Sequence, residues 1–312
     1  MAVESVARGI NHRVLHSSRL PYLALSLYRD WQRFNRVQRE LTAGGSVSPF
    51  SFEGLRERKT SATLFVLGSG ASVNAIDQAQ WDYIRQHDSV GFNFWLVHPF
   101  VPTYFFWEMP GEEVRRGIFA ELLERKQQAY RDTPIVVKRV WPNMIPAVKQ
   151  IVQSTPALEH LNVVSLDLPP KSNYSRTEIA RSIRQLQRYA VVDLLLKRSM
   201  LLHRRGTLSE LITFACGLDY KRVVLCGVDL LATDYFFDIE VYKWEGEPLP
   251  IPPKLPQTVH STIDPSKADL PVDEVLYLLR DELLAPREMT LELLSEASRL
   301  HPALGVAEIT IS

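Results

Sequence analysis

The stretch FVLGSGASVNAID, residues 65–77, holds residue types and spacing suited to binding chemistry. Phe65, Val66 and Leu67 form an apolar run that breaks into Gly68-Ser69-Gly70-Ala71-Ser72 and resumes at Val73 and Ile76. That pattern predicts a strand, a tight turn and a helix start with Ser72 as N-cap. Such a turn lets main-chain N–H groups approach an anion, and a helix N-terminus adds partial positive charge. It is therefore a candidate phosphate cradle. It matches neither G-x-x-x-x-G-K-[ST] nor G-x-G-x-x-G, and glycines at such a place serve the turn itself equally well. A second strand, VVLCGVD, ends on Asp229, at a sheet edge of the kind that faces a ligand crevice. The sequence has no D-x-D pair; Asp238-Ile239-Glu240 is the nearest approach.

The elements that must position these residues alternate. ATLFVLG, SVGFNFWLV, PTYFFWE, IVVKRVWP, NVVSLDLPP and RVVLCGVDLL read as strands, with helices on SVNAIDQAQWDYIRQH, MPGEEVRRGIFAELLERKQQAYRD and LSELITFACGL. A helical region runs from about Arg176 to His203, and two more helices follow on VDEVLYLLRDELL and MTLELLSEASRL before a short end strand, GVAEITIS. The order predicts an α/β fold: a Rossmann-like parallel sheet with helices on both faces. Residues 231–259 are long, irregular and rich in aromatics and prolines, which predicts a lid. Residues 1–60 read as a helical N-terminal extension joined through a linker at 42–51 to the main domain, residues 61–312.

Lys+Arg and Asp+Glu number 36 each, so no global basic field points to nucleic acid. Cys216 and Cys226 lie in apolar runs and read as buried thiols, which fits a reducing cytoplasm. No apolar run reaches the length of a membrane span, and no signal peptide is expected. The first 40 residues carry seven Arg, no Lys and three acids among aromatic and leucine positions. They read as helices packed on the main domain or, in the alternative, as a peripheral contact with anionic lipid. The run Arg176–Arg205, with eight basic residues against two acids, reads as a solvated helix face, or one facing an anionic acceptor.

VLGSGASVNAID, then VGFNFWLV and TYFFWE, then FACGLDYKRVVLCGVDLL, DYFFD and VHST, in that order, resemble the small lipooligosaccharide type of bacterial sialyltransferase that uses CMP-sialic acid. The likeness spans about residues 62–300 as a spaced set of short motifs. It implies an inverting, cytoplasmic glycosyltransferase of polysaccharide or lipopolysaccharide assembly, with a CMP-sugar as donor and a glycan or lipid-linked saccharide as acceptor. Oligomerisation stays open. It implies that Gly68, Ser69, Gly70 and Ser72 bind the nucleotide phosphate and ribose, that Asn93 and Asp229 help hold the donor, and that Thr207 and Ser209, with Arg205 or Arg204 just before them, meet the nucleotide. It also implies that Tyr235 donates to the leaving phosphate and that His260 is the general base. No cofactor or metal is expected, because the single phosphate can be met by hydrogen-bond donors.

Two positions depart from the family pattern. Leu231 stands where a second lid tyrosine is expected, and Glu108 where a second donor Asn is expected. A carboxylate there repels an anionic donor unless it meets a hydroxyl or a cation, so Kdo or another nonulosonic acid joins sialic acid as a donor candidate. A pterin diphosphokinase-like enzyme and a non-catalytic Rossmann-like subunit are the competing readings.

Overall fold

The computed structural model describes residues 19–169, 175–231, 234–254, 262–264 and 270–309. Nine strands make one wholly parallel sheet: β1 (Ser48–Pro49), β2 (Thr63–Leu67), β3 (Asp88–Phe92), β4 (Tyr104–Glu108), β5 (Ile135–Lys138), β6 (His160–Asp167), β7 (Met200–His203), β8 (Arg222–Cys226) and, at 290–293, a last strand. The strand order is β1-β6-β5-β4-β3-β2-β8 and then Thr290–Leu293, with β7 paired to the second half of β6. The strands are continuous apolar runs because both faces are covered. Leu64, Val66, Tyr104, Phe106, Val223 and Leu225 pack into one layer, while Phe65, Leu67, Phe105, Trp107, Val224 and Cys226 pack into the other. The expected α/β fold is thus the observed one, and both cysteines are buried free thiols.

Several elements differ from the sequence reading. The segment after the turn is a short 3-10 helix, Ala71–Ala75, and the α-helix begins later, at Gln78–Arg85. Asp77, not Ser72, caps it through a reciprocal pair with Gln80. Residues 42–51 are no linker: Ser48 and Pro49 pair with β6, and Leu23, Leu27, Phe34, Val37 and Leu41 of the Arg19–Thr42 helix are buried in the core. The described part of the N-terminal segment is therefore built into the domain. MLLH, expected to be helical, is β7, because the chain turns through left-handed Ser199 just before it. The expected helix on MTLELLSEASRL is instead the edge strand Thr290–Leu293, whose Leu291 and Leu293 are buried in alternation with less buried neighbours. In place of the expected end strand, the described part of GVAEITIS, residues 305–309, forms a bridge from Val306 to Leu293.

The described part of the lid packs on the domain through its aromatics. Phe236 and Phe237 are buried, a hairpin pairs Lys243–Trp244 with Glu247–Pro248, and Tyr242 donates its hydroxyl proton to Asn74 Oδ1 at 2.6 Å. Lys126 holds its ammonium 4.5 Å over the Trp244 ring. Among the described residues no helix is long and apolar enough to cross a membrane. The basic Arg176–Arg188 helix is an ion-paired surface face: Arg176 pairs with Glu274 and Arg184 with Glu282.

Candidate active site at the switch of the sheet

The sheet grows outward from β2 in both directions, through β3 on one side and β8 on the other. The chain therefore leaves the ends of β2 and β8 toward opposite sides of the sheet, and open α/β sheets hold ligands at such a switch point. A cavity of about 480 Å³ opens there. Its wall includes Ser69, Gly70, Asn93, Glu108, Arg205, Thr207, Asp229 and Tyr235. Most of the residues singled out from the sequence thus meet at one place. Gly68, Ser72 and Ser209 lie beside the cavity rather than on its wall, and His260 falls outside the described residues.

Three N–H groups of the glycine turn bond to β8 and the loop after it. Gly68 N–H donates to Cys226 O and Gly70 N–H to Gly227 O, both at 2.7 Å, while Ser72 donates from N at 2.9 Å and from Oγ at 2.5 Å to the Asp229 carboxylate. The turn locks the β2 loop to the β8 loop. Its glycines are needed for that approach: a Cβ on Gly70 would stand 2.5 Å from Asp229 Oδ2 and 2.7 Å from Gly227 O. Gly70→Ala is accordingly expected to destabilise the fold by about 1–3 kcal/mol, an overpacking cost measurable by urea unfolding.

The start of the Thr207–Gly217 helix also faces the cavity. Gly206 precedes it with no side-chain cap, and Gly206, Thr207 and Leu208 line the cavity. Arg205, in left-handed conformation, lines the cavity and donates to Thr262 O at 3.0 Å and Asp264 O at 2.8 Å. Arg204 is buried, donating to Leu168 O, so Arg205 is the arginine of the pair that belongs to the cavity. Ser209 ties the turn to the helix: its hydroxyl accepts from Arg204 N–H and donates to Gly206 O.

Asn93 and Arg139 also follow strands in left-handed conformation, with φ of 52° and 50°. Such backbone gathers at functional sites. Asn93 Oδ1 is buried with no hydrogen-bond partner among the described residues, an acceptor left for a ligand. Tyr235 is pinned by a bridge to Gly70, and its ring stacks on Phe237 at 5.1 Å. Burial raises its hydroxyl pKa, with Arg115 opposing and Asp238 adding, so the group stays a proton donor at neutral pH. Leu231, the other departure, is exposed.

Glu108 meets a cation. Lys138 Nζ, fully buried, lies 2.6 Å from Glu108 Oε2 and 2.7 Å from Glu210 Oε2, and Glu210 Oε2 lies 3.3 Å from His203 Nδ1. Burial by itself raises the Glu210 carboxyl; Lys138, then His203 and Arg139, outweigh it and hold the group well below the usual carboxylate range. Burial likewise pulls Lys138 down, and Glu210 and Glu108 more than restore it. The glutamate at 108 thus shares the Lys138 ammonium with Glu210.

The chain is similar to two solved sialyltransferases. One is the sialyltransferase CstII from Campylobacter jejuni in complex with a substrate analogue, cytidine-5'-monophosphate (12% identity, 79% of this chain and 85% of that chain, TM-score 0.40). The other is the monofunctional alpha-2,3-sialyltransferase Cst-I from Campylobacter jejuni (14% identity, 80% of this chain and 83% of that chain, TM-score 0.41). No protein-family model and no curated protein sequence matches the chain.

Arg115, Lys138, Arg139, His203, Glu210 and Thr262 were not singled out from the sequence as site residues. Glu108 and Lys138 are register partners at the ends of β4 and β5, as Asp167 and His203 are at the ends of β6 and β7. A charged residue closing each of several apolar strands was the available signal. Arg115 gave none: it sits on a helix face, 4.7 Å over the Phe94 ring, and donates to Pro253 O at 2.8 Å.

Proposed function

We propose that the chain is an inverting glycosyltransferase that moves a sialic acid or a related keto-sugar acid from a CMP-activated donor to a hydroxyl of a glycan or glycolipid. What supports this reading is one convergence. Asn93, Arg205, Thr207 and Tyr235, the positions that the motif resemblance assigns to the donor, are far apart in sequence and line one cavity at the switch of the sheet.

In this reading the phosphate of CMP rests at the start of the Thr207 helix, near Arg205, and takes the Tyr235 hydroxyl as a donor. Asn93 Oδ1 accepts from a hydroxyl or amine of the donor. As the anomeric C–O bond lengthens, charge grows on the departing phosphate, where fixed donors in a water-poor site are worth several kcal/mol. Glu108, tied to Lys138, accepts from a sugar hydroxyl. Transfer proceeds without added metal, since these groups meet the single phosphate.

Thermal unfolding with CMP, and separately with ATP and Mg²⁺, tests the reading. CMP at a hundred times its Kd should stabilise the protein by about 2.7 kcal/mol. Arg205→Ala or Thr207→Val should remove most of that shift. Stabilisation by ATP with Mg²⁺ but not by CMP would move the assignment to a diphosphokinase.

A further inference from the structure

His203 closes β7 and lines the cavity, with its side chain 15% exposed. Its Nδ1 lies 3.3 Å from Glu210 Oε2, close enough to pair but outside hydrogen-bond geometry, and both atoms are buried with no hydrogen-bond partner among the described residues; Glu210 is fully buried on the first turn of the Thr207–Gly217 helix. Lys138 holds the same carboxylate oxygen from the end of β5 at 2.7 Å. A buried carboxylate against Nδ1 selects the tautomer that keeps its proton there and leaves Nε2 with a lone pair. The same logic positions general-base histidines on unrelated folds, and such contacts are often loose before substrate binds. The register pairing of Asp167 with His203 and of Glu108 with Lys138 fixes this cluster to the sheet rather than to a loop.

We propose that His203, positioned by Glu210, is a base that removes the acceptor's proton in this cavity. This rests on the transferase reading above. Nε2 takes the proton of the acceptor hydroxyl as its oxygen forms a bond to the anomeric carbon. The bond from that carbon to the phosphate oxygen breaks, CMP leaves with the electron pair, and the proton stays on the imidazolium until solvent removes it. Glu210, negative and buried beside the ring, stabilises the imidazolium as it forms. Lys138 keeps Glu210 ionised and connects it to Glu108 on the cavity wall.

Two measurements test it. In histidine-labelled full-length protein, ¹⁵N spectra should show His203 protonated at Nδ1, and Glu210→Gln should weaken that preference. An Nε2-protonated ring in the wild type would overturn the proposal without reference to turnover. CMP release from CMP-sialic acid, with water as acceptor, then separates the roles: His203→Gln should lower the rate by about 10² to 10⁴ while CMP affinity stays within about twofold. An unchanged rate in His203→Gln, with a large loss in His260→Ala, would assign the base elsewhere. Wild-type protein that neither binds CMP nor releases it would sink the transferase reading, and the base with it; normal CMP binding and release with an unaffected His203→Gln sinks the base alone.

Discussion

Replacing Lys138 by methionine is expected to lower the unfolding free energy by about 3–5 kcal/mol, the usual cost of removing one partner of a buried ion pair. Lys138 and Glu210 are both fully buried, whereas Glu108 is 39% exposed and can turn toward water. Without the ammonium, Glu210 keeps His203 and the more distant Arg139 for its charge. The carboxyl must then take up a proton or draw in solvent. The double variant Lys138→Met/Glu210→Gln should recover most of the loss, because it removes the stranded charge along with its partner. Urea unfolding of the single and double variants checks this; a single variant as stable as the wild type would mean that the cluster is solvated.

Acid should weaken the protein well before its carboxylates titrate. His98 is packed between Trp95, at 4.5 Å, and Trp81, at 4.8 Å, and its Nδ1 accepts from Phe100 N–H. Burial, with Lys126 and Arg85 adding, pushes its pKa down to about 3. Burial takes His160 down to about 4, against a smaller opposing hydrogen bond with Thr155. Both rings are neutral in the folded protein and titrate near 6.5 when unfolded, so below that pH the unfolded chain binds protons that the folded one refuses. Stability is full above pH 6.5 and falls as pH drops toward about 4, approaching about 1.4 kcal/mol per pH unit for each ring. Urea midpoints at pH 7, 6 and 5 should fall steadily, and His160→Gln should lessen the slope. A flat profile would show that the rings are hydrated or charged in the folded state.

The sheet was legible from the sequence because its strands are short apolar runs bounded by turn residues. β7 and the Thr290–Leu293 strand were not, since MLLH and TLEL sit among leucine-rich helical neighbours and carry no alternation strong enough to separate them. The site was legible where polar residues close or follow strands or begin helices, as Asn93, Glu108, Thr207 and Asp229 do. The glycine turn also has a structural part that the sequence did not show. The N–H groups of Gly68, Gly70 and Ser72 bond to the end of β8 and the loop after it, a pairing set by a contact between positions more than 150 residues apart. The Lys138–Glu210–His203 cluster depends on the spatial order of β5, β6 and β7, which no local pattern encodes.

CMP release from a panel of CMP-activated sugar acids, assayed in EDTA, tests the proposed chemistry most directly. The expected result is turnover of at least one donor without metal, sharply reduced in Arg205→Ala and Tyr235→Phe. No release from any donor, or release that appears only when Mg²⁺ or Mn²⁺ is restored, would contradict it.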